Sequence, residues 1–166
     1  LAELCAAVFA CGSIQENSHR ASWTPTTTIG ESTITDALET IGVGVRIERD
    51  DRSVEYWAGE HPSILGRVLT SAGAPVGVKT ADNVRSLPQW LGESPKSVQE
   101  SVAKLLVAER AIDYEDKSTK RIQTARPSSY FREIAELIES VTAQPVTNSE
   151  TGVTISADAV RDLGFQ

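Results

Sequence analysis

Apolar positions along this chain recur with a period near 3.6 in some stretches and alternate in others, and the two patterns take turns in a fixed order. Residues 2–11 form an almost unbroken apolar run suited to a helix, ended by Gly12 and Ser13. Residues 13–16 and 20–27 follow as candidate strands of a hairpin. Ser32 is placed to cap a second helix whose Ile34, Leu38 and Ile41 share one stripe, and Gly42 stands just past its end. Val45-Arg46-Ile47-Glu48 and Val54-Glu55-Tyr56-Trp57, separated by a turn at Asp50-Asp51, alternate as a half-buried hairpin does. Pro62 opens a third helix with Ile64, Leu65, Val68, Leu69 and Ala72 on its apolar side, and Gly73 closes it.

The same order then returns. Ser94-Pro95 leads into a helix over 95–109 carrying Val98, Val102, Leu105 and Leu106, followed by strands expected at 111–115 and 119–125. Phe131, Ile134, Ile138 and Val141 stripe the next helix, a hairpin pairs 144–148 with 151–156, and a short helix starts at Asp158. Corresponding positions differ by about 98–100 residues, a near-constant offset that marks an internal repeat. The expected fold is α+β, one domain over 1–166 built from two pseudo-symmetric αββαββα repeats with antiparallel sheets. Repeat one covers 1–73, repeat two covers 94–166, and residues 74–93, with Pro75, Gly77, Pro88 and Gly92, link them.

Composition narrows the class without naming a function. At 166 residues, with 40% hydrophobic and 23% charged positions, the chain is ordinary globular material. No stretch approaches the roughly 18 apolar residues of a membrane span. The expectation is a cytoplasmic monomer with no membrane partner. Cys5 and Cys11 would sit about 9 Å apart along one helix, too far to bridge, and read as small apolar residues of a reducing compartment. His19 and His61 are isolated. The net charge of −7 argues against a nucleic-acid partner. Arg nevertheless outnumbers Lys 11 to 5 and Met is absent, a bias resembling proteins of salt-loving archaea, in which acidic surface is a background property and DNA contacts are judged locally.

Two segments carry a family resemblance. Leu1-Ala2-Glu3-Leu4-Cys5-Ala6-Ala7-Val8-Phe9-Ala10-Cys11-Gly12-Ser13-Ile14 is an apolar helix followed by Gly and a strand. The stretch from Leu69 to Thr80, with Leu87-Pro88-Gln89-Trp90-Leu91, has the style of the join between two such halves. Together with the repeat they resemble the LAGLIDADG homing endonucleases of the intein-borne, two-repeat monomeric type. The resemblance implies that helices 2–11 and 95–109 pack at a pseudo-twofold axis through Ala6, Ala7, Ala10, Ala103 and Ala108. It also implies sheets forming a saddle over double-stranded DNA, and a host protein or flanking intein splicing segments around the domain. No splicing motif stands within these residues.

In that family a carboxylate at the end of each motif helix helps to hold Mg²⁺ against the scissile phosphates. Here the resemblance places Cys11 at the first position and Glu109, followed by Arg110 in place of Gly, at the second. A thiol is a poor ligand for hard Mg²⁺, so Glu109 is the one metal ligand retained, and cleavage is expected to be weak or lost. Glu16 and Asp113, just beyond the two helix ends, are the candidate substitutes for an active Mg²⁺-dependent endonuclease. Gly12 would let a DNA backbone approach closely. The third possibility is a non-enzymatic interaction or structural domain that keeps the fold.

Strand parity supplies candidate DNA contacts. With Val45, Ile47, Val54 and Tyr56 facing the core, Arg46, Arg49 and Arg52 are expected toward the saddle. In the second repeat Lys117, Lys120, Arg121 and Arg126 fall in a segment with no acid after Lys117, a basic concentration suited to phosphates. Arg46, Gln123 and Gln144 are possible base readers. A solvated hairpin edge blunted by Lys explains the same charges without DNA. Trp23 and Trp57 are expected to be packing residues.

Overall fold

The computed structural model describes residues 1–51, 53–114 and 117–165. The chain divides into two compact units, Leu1–Lys79 and Thr80–Gln166. The first runs α1 (Ala2–Ala10), β1 (Gly12–Ile14), β2 (Ala21–Trp23), α2 (Thr28–Thr40), β3 (Val45–Arg49), β4 (Val54–Ala58) and α3 (Pro62–Ser71). After a 3₁₀ turn at Gln89–Glu93, the second runs α4 (Lys96–Arg110), β5 (Ala111–Tyr114), β6 (Lys117–Gln123), α5 (Ser128–Thr142), β7 (Val146–Ser149), β8 (Gly152–Ile155) and α6 (Ala157–Asp162). The expected α+β fold of two αββαββα halves is therefore the one observed. Each half holds a four-stranded antiparallel sheet, ordered β1-β2-β4-β3 in one and β5-β6-β8-β7 in the other.

Local chemistry explains the departures from the expected boundaries. Strand β2 stops at Trp23, two residues before Pro25, which has no N–H for the ladder, and the helix after it starts earlier than expected. Thr27, with extended backbone, accepts the Gly30 N–H at 3.0 Å and caps α2, so the expected cap Ser32 lies inside the helix, where its hydroxyl donates to Ile29 O at 3.2 Å. Helix α1 is buried on all sides from Leu4 to Ala10. Its following Gly12 has a packing reason: a Cβ there would meet Trp23 Cδ1 at 2.5 Å and Ser22 O at 2.8 Å.

Helix α3 opens at Pro62 as expected, but its apolar stripe is narrower. Leu65, Gly66 and Leu69 are buried, whereas Ile64 and Val68 are exposed. Gly66 presses against the backbone of His19 and Ala21, leaving no room for a side chain. That approach turns Ile64 and Val68 outward.

Residues 74–93 are packed rather than loose. Ala74, Val84, Leu87 and Leu91 are buried. In the first unit, Gly77 N–H donates to Ile14 O at 2.8 Å beside β1, and Lys79 Nζ donates to Val8 O at 2.7 Å and Gly12 O at 2.6 Å. The ammonium thus sits where the last turn of α1 exposes carbonyls at its negative end. In the second unit, Leu87 N–H donates to the Glu133 carboxylate at 2.6 Å and Ser129 Oγ donates to Arg85 O at 2.9 Å. Among the described residues no helix is long and apolar enough to cross a membrane.

Candidate nucleic-acid interface

The second sheet has a sharply divided pair of faces. Ile122, Val153, Ile155 and Val146 are buried on the side covered by α4, α5 and α6. Alternation sends their neighbours outward. The register aligns Ile112, Arg121, Thr154 and Thr147 in one row across the four strands, and Gln123, Gly152 and Ser149 in the next. Neither row contains a carboxylate among the described residues.

Arg121 lies along this outer face, its Nη2 donating to Thr151 Oγ1 at 3.0 Å, while its Nε is buried without a partner among the described residues. It rests against Gly152, where a Cβ would come within 3.5 Å of Nε. Gln123 is exposed on the same face. Lys117, also exposed, holds its ammonium 5.7 Å from the Tyr114 ring centre, near the bulge between Asp113 and Tyr114. Arg126 follows the strand, with Nη1 donating to Ala125 O at 2.9 Å.

Lys120 stands apart from this group. Adjacent strand residues point to opposite faces, so it lies on the helix side, bonded to the Asp113 carboxylate with its ammonium 5.3 Å from the Phe165 ring centre. Lys120 and Arg121, both in the expected basic segment, therefore lie on opposite faces of β6. Asp113, one expected substitute acid, is held in the same ion pair. Gln144 is also engaged elsewhere, its Nε2 donating to Asp162 Oδ2 at 3.0 Å.

The outer face of the first sheet is different in charge. Ser22, Trp57 and Arg46 form a row, with Glu48 and Glu55 directly opposed in the next row on that face. Arg46 pairs with Glu48 at 2.5 Å, and the Arg20 guanidinium lies 4.6 Å from the Trp57 ring centre. Trp23 and Trp57 are both buried, as packing residues. Arg49 is not beside Arg46. It pairs with Val54 and shares the parity of Ile47, because alternation runs unbroken from Val45 to Arg49. Arg52 lies outside the described residues.

The two positions of the expected metal site belong to different units. Cys11 is the residue after α1, and Glu109 lies in the last turn of α4, half-buried. The donors do not fit a magnesium centre. Cys11 offers sulfur, and among the described residues no three His, Cys, Asp or Glu side chains are grouped to hold a metal ion. Glu16 packs its side chain against Gly77. Burial pushes the Cys5 thiol up to about 11, so it stays neutral and unreactive at physiological pH.

No protein-family model matches the sequence, and no curated protein matches it. Solved structures do match. Full-length DUF199/WhiA from Thermatoga maritima superposes with a TM-score of 0.58 over 99% of this chain, at 9% identity. The chain spans 55% of that protein's length, and the likeness is one of fold. The homing-endonuclease assignment is thereby corrected, and the intein setting goes with it. The residues that suggested it, an alanine-rich helix ending at Gly12 and a Pro- and Gly-containing join, are those that packing requires, while the acid-Gly pair that carries the chemistry is absent from both helix ends.

Proposed function

We propose that this protein binds double-stranded DNA through the outer face of β5-β6-β8-β7 and does not cleave it. The observation that supports this reading is a sheet face bearing Arg121, Gln123, Thr154, Thr147 and Ser149, with Lys117 at one end of β6 and Arg126 three residues past the other, and with no acid in its rows among the described residues despite a chain charge of −7. Cations at the two ends suit phosphates, and outward side chains of a sheet can reach base edges in a groove. Hydroxyls and an amide between them suit hydrogen bonding to backbone and bases.

Fluorescence anisotropy of the whole chain on labelled duplex tests it. Replacing Lys117 and Arg121 with Ala should weaken binding on every sequence and flatten the dependence of log affinity on log salt by about 2, near 0.9 for each phosphate no longer neutralised. Duplex affinity and slope unchanged in that double variant would assign the face to a protein partner instead. Incubation with Mg²⁺ and supercoiled DNA should leave the DNA intact.

A further inference from the structure

The outer face of the second sheet also carries an apolar group that phosphate binding does not explain. Ile112 is 49% exposed on β5, an edge strand. Together with Tyr114 it makes up the exposed large hydrophobic residues of the second unit among those described. An exposed isoleucine on a sheet edge invites unwanted strand pairing, and edge positions ordinarily take charged residues instead. Its cross-strand partner is Arg121.

We infer that Ile112 and Arg121 together read thymine next to guanine in the major groove, a specificity that rests on the duplex-binding reading above. Directly opposed residues in an antiparallel pair have Cα atoms about 4.5–5.5 Å apart, so their side-chain ends reach base pairs one or two steps of about 3.4 Å from each other. The major groove presents the C5-methyl group of thymine, which an aliphatic side chain covers, and the O6 and N7 acceptors of guanine, which a guanidinium grips with two hydrogen bonds. Thr151 takes one of the five N–H donors of Arg121 and restrains the group, whose Nε is buried against the sheet beside Gly152. A guanidinium held in place beforehand loses less side-chain freedom on binding than a free one. Gln123, two residues along the same face, lies about 6.6 Å further, another two base pairs on, and does not enter the Ile112–Arg121 pair.

The probes are three duplexes of equal length: alternating thymine–guanine with its complement, the same duplex with deoxyuridine for every thymine, and an alternating adenine–thymine duplex. The wild-type chain should bind the first about fourfold more tightly than the second, since one buried methyl contributes about 0.8 kcal/mol. It should prefer the first to the third by about tenfold. Ile112→Ala should bind the thymine and deoxyuridine duplexes equally while keeping the preference for guanine. Arg121→Met, which keeps an aliphatic stem and removes every donor, should lose the guanine preference and keep the methyl discrimination. Circular dichroism of both variants checks that the exposed substitutions leave the fold intact. Wild-type binding that ignores the methyl group, or discrimination that persists in Ile112→Ala, overturns the inference and leaves duplex binding standing. Failure to bind any of the three duplexes overturns both.

Discussion

Single residues decide what the second sheet can present. Lys120 and Arg121 are neighbours in sequence and look equivalent there, yet one is spent on Asp113 and Phe165 while the other lies on the open face. Lys120→Ala is expected to lower stability in urea unfolding with little change in duplex affinity, and Arg121→Ala to weaken affinity about tenfold with little change in stability. Equal effects of the two on affinity would contradict the placement. Gly152→Ala tests the same site from beneath, because the new Cβ would collide with Ile122 O and force β6 and β8 apart next to Arg121. It should cost both stability and DNA affinity. Glu133 gives a pH signature. Burial raises its pKa above the ordinary value, more than the Leu87 N–H bond lowers it. Between the ordinary and the raised pKa the folded chain binds more protons than the unfolded one, so this group's contribution is fully present below that window and lost as pH rises through it. Glu133→Gln keeps an acceptor for Leu87 and removes the titration, so urea midpoints of wild type and variant should diverge across that window. Parallel curves would show that Glu133 ionises in the folded protein as it does in the unfolded chain.

Elements are held at their ends by partners that sequence pattern reveals unevenly. The Thr27 cap of α2 was hidden by Ser32, another acceptable capping residue five positions later, and only the extended backbone at Thr27 decides between them. Thr27→Ala should cost about 1 kcal/mol in denaturant unfolding and Ser32→Ala much less. Helix α1 has no basic residue in its last turn and takes one instead from Lys79, far along the chain. Lys79→Met keeps the aliphatic stem and removes the donors to Val8 and Gly12. A loss of roughly 1–2 kcal/mol is expected, and an unchanged urea midpoint would show that water satisfies those carbonyls equally well. The order of elements was legible from periodicity alone, because helix stripes and strand alternation both reflect burial on one side. The width of α3's stripe was not, since Gly66 makes its close approach through backbone and leaves no mark on a hydrophobic pattern.

At the scale of the whole molecule, the proposed DNA-binding face is a confined basic patch on a chain of net charge −7. Few phosphates can then be neutralised. With Lys117, Arg121 and Arg126 as the contacting cations, the slope of log affinity against log salt should be about −3, near 0.9 per phosphate. A slope beyond about −6 would require a broader surface than this face.

The sequence by itself determined the repeat, the helix and strand order and the buried aromatic residues, since each follows from the spacing of apolar side chains. It also located the basic segment 117–126. Tertiary structure decided which of those charges remain exposed and which glycines make room for neighbours. An ion pair such as Lys120–Asp113 depends on strand register, and a close approach such as Gly12–Trp23 depends on two elements meeting. The motif-like end of α1 shows the difference most plainly, because a Gly after an apolar helix reads the same in sequence whether it admits a DNA backbone or, as here, an indole ring.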